Sequence, residues 1–309
     1  MKKVLFKLLT VSVLAYFSGQ TSAQEIDLQN IKFIHPIVEK WVSEYKKTYP
    51  DSKLDVKLQS SEGVAALKLV VNTGDEALDN SGTVIYTGRF ALIPISNKNN
   101  PLLAKAGKGL KKKDLQKLVF EREPSDDDDD YEDKGKEKYT ATIYSRNGQA
   151  ATTLALAEHF DRSPDLIKGK KIAGDEIYLV DAISKDENGL AFNTLNYVYD
   201  LTTRRLKSNL TVLPLNLKQE IREALLSHDI DRTISALEDI KTEVIPVSSF
   251  GLIIPKNNFD NADILRFAEW VLENGQKFNH ELGFLTLDSA TLESQQKQLK
   301  KQNQALAAK

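Results

Sequence analysis

Apolar positions along the chain recur with two alternating periods. Ile37, Val38, Trp41, Val42 and Tyr45 fall at three- and four-residue spacing, which predicts a helix starting near Pro36 and ending before Pro50. "KLDVKLQ" (53–59) alternates as a strand, "SEGVAALKLVV" (61–71) is read as a helical stretch, and a turn-rich segment follows. "TVIYTGRFALIPIS" (83–96) is a long β-branched and apolar run interrupted by Gly88. Its length suits a strand that crosses between two lobes. A short helix is predicted at Lys112 to Phe120, a strand over 139–145, and helices over 151–160 and 178–186. "GLAFNTLNYVYD" (189–200) is read as a strand, and 217–227 and 231–240 as helices. "TEVIPVSSFGLIIPK" (242–256) is a second crossing run. It precedes an amphipathic helix from Ala262 that breaks at or soon after Gly275, and a polar helical tail.

Helices and strands alternating throughout are the signature of an α/β protein. Two long apolar strands far apart in sequence point to two lobes joined by two crossings, with a ligand cleft between them. The expected division is 24–92 plus 248–309 for the first lobe and 93–247 for the second.

Residues 1–23 change the picture of where the protein acts. Lys2, Lys3 and Lys7 flank an apolar run from Leu8 to Phe17, and Thr21 and Ala23 supply small residues before a cut at Ala23/Gln24. The run is shorter than the about 20 residues a spanning helix needs, so it is read as a cleaved secretory signal. The expected location is the periplasm. The chain contains no cysteine, which excludes disulfides, thiolate metal sites, a cysteine nucleophile and a lipidated cysteine at the cut. The expected product is a soluble, unanchored protein with no membrane insertion after cleavage. Without residues 1–23 the charge moves from −2 to −5, with 39 Lys and Arg against 44 Asp and Glu. That balance leaves no basic stripe for nucleic acid.

Residues 121–138 carry ten acids and four bases with almost nothing apolar. They are expected to form a mobile acidic surface loop. The five consecutive aspartates, Asp126 to Asp130, lack the spaced ligands and turn glycine of a calcium loop.

The order of the segments resembles the type II periplasmic solute-binding proteins, in particular the phosphate-binding (PBP-like) branch. The pieces that carry the resemblance are "PIVEKWVSEYKKTYPDSKLDVKLQ", "RFALIPISNKNNPL" with "GLKKKDLQKLVFE", "YSRNGQAATT", "VIPVSSFGLIIPK" and "FAEWVLENGQKFNHELGFLTL". Together they span most of residues 24–309. The resemblance implies a two-lobe fold of two mixed sheets flanked by helices and joined by two crossing strands. It also implies a small phosphate-like anion held at helix N-termini and presented to an ABC permease, a monomer, and no cofactor.

A helix N-terminus presents unpaired amides and a partial positive charge, and an arginine adds a bidentate fork for an oxyanion. In the phosphate binders this motif runs close to Arg-x-Asp-Gly-Ser-Gly-Thr. Here it is "RNGQAATT": Arg146 is kept and Thr152 or Thr153 holds the threonine position. Gly148 stands at the acidic position, Ala150 at the serine and Ala151 at the glycine. In the first lobe Lys32 and His35 occupy a turn that is small in the family, while Ser60 and Ser61 offer hydroxyls before the next predicted helix. Each candidate has a plainer alternative. Arg146 could stabilise a lobe, the two threonines could cap a helix, and Ser60 or Ser61 could be an N-cap. Arg89, on the first crossing, is the other cation that could face the cleft.

No other chemistry assembles. The histidines at 35, 159, 228 and 280 are far apart in no metal-ligand pattern, and "SSFG" is no nucleophile elbow. "DEIYLVD" offers carboxylates with nothing to pair them as acid and base. Lys111 to Lys113 reads as a solvated face or a partner contact. The expected function is therefore non-enzymatic: capture of a small oxyanion for a transporter. The alternative is a structural or interaction protein whose cleft is vestigial.

Overall fold

A computed structural model describes residues 24–27, 31–57, 66–73, 82–123, 139–146, 150–238 and 242–307. In chain order the first elements are β1 (Gln24–Asp27), α1 (His35–Thr48), β2 (Leu54–Lys57), β3 (Leu67–Val71), β4 (Gly82–Asn97), α2 (Leu102–Ala106) and α3 (Lys112–Val119). Then come β5 (Thr142–Arg146), α4 (Ala151–His159), β6 (Lys170–Ile172), α5 (Ile177–Lys185), β7 (Gly189–Thr194) and α6 (Leu195–Val198). The short strands β8 (Tyr199–Asp200), β9 (Arg205–Leu206) and β10 (Leu210–Val212) lead to α7 (Gln219–Leu226) and α8 (Ile230–Glu238). The chain closes with β11 (Val247–Pro255), α9 (Ala262–Asn274) and α10 (Ser289–Ala307).

One strand organises the whole. Residues 82–91 of β4 pair antiparallel with β11, whereas residues 92–96 pair antiparallel with β7. Beyond β11 lie β3, β1 and β2, and beyond β7 lie β5 and β6, both in parallel register. The changeover is tied where the Leu92 amide donates to the Pro246 carbonyl at 2.9 Å. Gly88 allows the crossing, because a Cβ there would meet the Phe250 ring at 2.6 Å and the Asn279 amide nitrogen at 2.8 Å.

Each half of the sheet has its own aromatic filling. On one side Phe33, Trp41, Phe90, Phe250 and Phe284 are fully enclosed, with Phe33 and Phe90 edge-on at 4.8 Å and Phe250 and Phe284 at 5.1 Å. Enclosing each such ring stabilises by about 1.5–3 kcal/mol. Trp41 also donates its indole N–H to the Gly275 carbonyl at 3.1 Å, which fixes α1 against the end of α9. On the other side Phe160 lies between Phe120 and Phe192 at 5.8 and 5.9 Å.

Two sequence expectations are corrected. Residues 67–71 of the stretch read as helical form strand β3, buried at every position but Lys68. A strand flanked by β1 and β11 and covered on both faces needs a continuous apolar run, and over five residues that cannot be told from a helix face by periodicity. Residues 189–200 are not one strand. β7 ends at Thr194, and the chain makes one helical turn before β8. The turn is held by Thr194 Oγ1 donating to Asn196 Oδ1 at 2.6 Å, and Asn196 Nδ2 donating to the Phe33 carbonyl at 2.8 Å. Among the described residues no helix is long and apolar enough to cross a membrane.

Candidate functional site

Strand β5 runs parallel to β6 and β7, so its last residue, Arg146, leaves the sheet beside Ile172 of β6. Helix α4 starts five residues later, at Ala151. Ala150 is its N-cap, in extended backbone (φ −63°, ψ 139°), with no side-chain hydrogen bond to cap it. The threonines at 152 and 153 therefore lie inside the first turn and do not cap the helix. By helix geometry the amides of Ala151 and Thr152 have no intrahelical acceptor. The Thr153 and Leu154 amides both donate to the Ala150 carbonyl, at 2.9 and 3.0 Å.

Arg146 turns inward, its side chain only 13% exposed. Its Nε lies 3.5 Å from Oε1 of Glu176, whose side chain is 7% exposed. The contact is ionic without being a hydrogen bond: Nε and Nη1 of Arg146 are both buried, and neither has a hydrogen-bond partner among the described residues. Glu176 sits immediately before α5 in helical backbone, and Asn193 Nδ2 donates to its carbonyl at 2.9 Å, fixing its position from β7. Among the described residues one other side chain donates to its carboxylate, weakly: Thr152 Oγ1 at 3.3 Å. Burial pushes its pKa above the usual carboxylate range, and the nearby Arg146 charge only partly offsets that. On the α6 turn, the Tyr197 hydroxyl is raised by burial and then by its hydrogen bond to Asp175.

Arg146, Thr152, Glu176, Asp175, Asn193 and Tyr197 thus converge from β5, α4, the start of α5, β7 and α6. A buried guanidinium with spare donors at the head of a helix can accept an oxyanion. Thr153 is buried one position further along the helix, and Ala150 and Ala151 offer only backbone. Ser60, Ser61 and Gly148 lie outside the described residues, as do positions 124–138 of the acidic segment.

Arg89 does not join this group. Its Nε donates to the Thr286 carbonyl at 2.7 Å and its Nη2 to the Glu238 carbonyl at 3.3 Å, so the cation ties chain segments together. Lys32 is exposed, and His35 is buried as the first residue of α1. Lys112 pairs with Asp161 at 3.0 Å. His159 faces the Glu243 carbonyl, and burial lowers its pKa.

Sequence reasoning notes the carboxylates of Asp175 and Glu176 but finds nothing to pair them, and it misses Asn193 and Tyr197. The available signal was "GDEIYLV", two acids directly ahead of an apolar helix. An acid there is normally read as a helix-dipole partner in solvent. Nothing local announces that Glu176 is buried against Arg146.

No family model matches this chain, and no curated protein matches it. Solved structures do. A putative phosphate ABC transporter substrate-binding protein with bound phosphate from Clostridium perfringens is 15% identical, with 86% of this chain and 100% of that one covered and a TM-score of 0.57. An ABC-type phosphate transport receptor from Vibrio cholerae is 10% identical, with 85% and 99% covered and a TM-score of 0.54. The regulatory domain of a LysR family regulator from N. meningitidis is 13% identical, with 86% and 99% covered and a TM-score of 0.51. At such identities the likeness speaks for the fold, and that fold serves both receptors and regulators. The chain has the two-lobe α/β fold of the periplasmic binding proteins.

Proposed function

We propose that this chain is an exported solute-binding protein of the phosphate ABC transporter type, capturing a small oxyanion between its lobes. Residues 24–92 with 248–309 form one lobe and 93–247 the other. Residues 1–23 act as a signal, and the product works as a periplasmic monomer that hands its ligand to a permease. The observation that carries the reading is Arg146: a guanidinium at the head of α4 with two buried nitrogens lacking hydrogen-bond partners among the described residues. Buried donors are rarely left unpaired, and an oxyanion on either edge of the guanidinium would satisfy one of the two. Thr152, Thr153 and the backbone of Ala150 and Ala151 complete this half, and Ser60 and Ser61 are the candidates from the opposite lobe. The phosphate named for the Clostridium perfringens structure is the first ligand to try.

Calorimetric titration of the chain from Gln24 onward with phosphate, sulfate, molybdate and small carboxylates tests this. One of the oxyanions binds, and Arg146→Ala lowers its affinity at least about 100-fold, the loss of a charge-assisted bidentate contact. Silence from every anion across pH 5 to 8 overturns the reading.

A second reading has its own observation. Glu176 already stands 3.5 Å from the arginine, so the charge is compensated from within, as a vestigial cleft in a structural or interaction protein would be.

A further inference from the structure

The binding reading leaves one group unexplained. An anion docking on Arg146 would meet a carboxylate that already faces the same guanidinium. Glu176 cannot swing away freely, because Asn193 holds its backbone and the side chain is enclosed. Nor is it well satisfied as a carboxylate. Its one side-chain hydrogen bond among the described residues comes from Thr152 at 3.3 Å, and its contact with Arg146 has no hydrogen-bond geometry.

We propose that Glu176 is a built-in competitor for the anion at Arg146, so that binding there is coupled to the uptake of one proton by the Glu176 carboxyl. This rests on the anion-binding reading and adds its regulation. Two negative charges cannot share one buried guanidinium without strong repulsion. Protonation removes one of them and turns the carboxyl from a rival acceptor into a donor towards the ligand. The charged and titratable groups around Glu176 favour this outcome. Among the described residues Arg146, from the end of β5, is the cation beside it; Asp175, the residue before Glu176, is a second acid; and Tyr197 of α6 is kept neutral by burial and by Asp175. Thr152 of α4 and Asn193 of β7 are the uncharged neighbours. Burial already raises the Glu176 pKa, so the proton comes at small cost.

The test is calorimetric titration of wild type and Glu176→Gln with sulfate and with inorganic phosphate. It is done at several pH values between about 5.5 and 8.5, in two buffers of different ionisation heat. Sulfate keeps its charge over this range, so any proton taken up belongs to the protein. Wild type is expected to take up close to one proton per sulfate at the alkaline end. Its affinity should fall about tenfold per pH unit there, as one-proton linkage requires. Glu176→Gln is expected to bind at least about tenfold tighter near pH 8, with a flat profile. Binding by the variant near pH 8, where wild type binds only at acid pH, also supports the competitor. Equal affinities and no proton uptake overturn it while leaving anion binding intact, as does weaker phosphate binding by the variant. No binding by either protein at any pH overturns the binding reading and this inference together. The wild-type proton count needs no variant, so a poorly folded Glu176→Gln does not spoil the experiment.

Discussion

Two buried or half-buried glutamates stand in opposite environments. Glu238, at the end of α8, receives three hydrogen bonds on one oxygen: from His280 Nε2 at 2.7 Å, from the Thr286 amide at 2.8 Å and from Thr286 Oγ1 at 2.6 Å. Among the described residues Glu176 receives one side-chain hydrogen bond, at 3.3 Å, and faces an arginine that does not bond to it. Burial alone would raise both. At Glu238 the His280 and Thr286 bonds outweigh it and hold the carboxyl at about 2, whereas at Glu176 burial prevails. The same side chain is thus a fastening in one place and a poised group in the other. What separates them is both the number of donors aimed at the carboxylate and the depth of burial, with 20% of the Glu238 side chain exposed against 7% for Glu176. The neighbours of Glu238 confirm its structural part: Arg204 donates to the carbonyls of His280 and Glu281 and pairs with Asp231, joining the 204–238 region to the segment after α9.

Replacing each glutamate by glutamine gives the largest contrast. Glu238→Gln leaves an amide where three donors expect an anion, and should lose about 2–3 kcal/mol in urea unfolding near pH 6. Glu176→Gln breaks no hydrogen bond from Arg146 and should lose about 1 kcal/mol or less. If the second loss equalled or exceeded the first, the distinction between fastening and poised group would collapse.

A medium-sized effect lies in the pH dependence, where the two residues have opposite slopes. Glu238 has a lowered pKa, so its stabilisation is present above its ordinary value of 4.5 and fades as pH falls towards about 2. His280 is raised above its ordinary 6.5 by the same bond, so its share is present below 6.5 and is lost as pH climbs through the raised value. Glu176 is also raised: folding favours its protonated form, and that contribution is present below 4.5 and lost as pH climbs through its own raised value. Subtracting the Glu176→Gln curve from wild type should leave a difference that falls with rising pH. Subtracting the Glu238→Gln curve should leave one that rises through the acid range and declines above neutrality. Parallel difference curves would contradict the opposed environments.

How much of this was legible beforehand varies by element. α1, α9 and the long β4 could be read from spacing alone, because each is amphipathic or apolar over enough residues to fix its period. β3 could not, since a short strand buried on both faces has no period to show. Arg146 was found through the order of motifs around it, and the fate of Arg89 was not. Its partners, Thr286 and Glu238, are far away in sequence and were brought near by the return of the chain through β11. Glu176 was hidden for the same reason. Its burial depends on Arg146 from β5 and Asn193 from β7, and the β7 end was itself misread as continuous strand.

The smallest and most discriminating change is Thr152→Val, nearly the same shape without the hydroxyl. It removes the Thr152 hydrogen bond to the Glu176 carboxylate in a helix turn the hydroxyl does not cap. Global stability should change by about 1 kcal/mol or less, the net worth of one long hydrogen bond. The carboxyl itself should respond more clearly. Losing a donor that favours the charged form moves its titration further up, in the direction burial already pushes it. Carbon-13 NMR titration of the Glu176 carboxyl without added anion reads this directly, and needs no assumption about the ligand. The same titration on Glu238 should not move, because its donors come from His280 and Thr286. An unchanged Glu176 titration would mean that Thr152 does not govern its charge, and that the carboxylate is steadied by Arg146 more firmly than a 3.5 Å contact without hydrogen bonding implies.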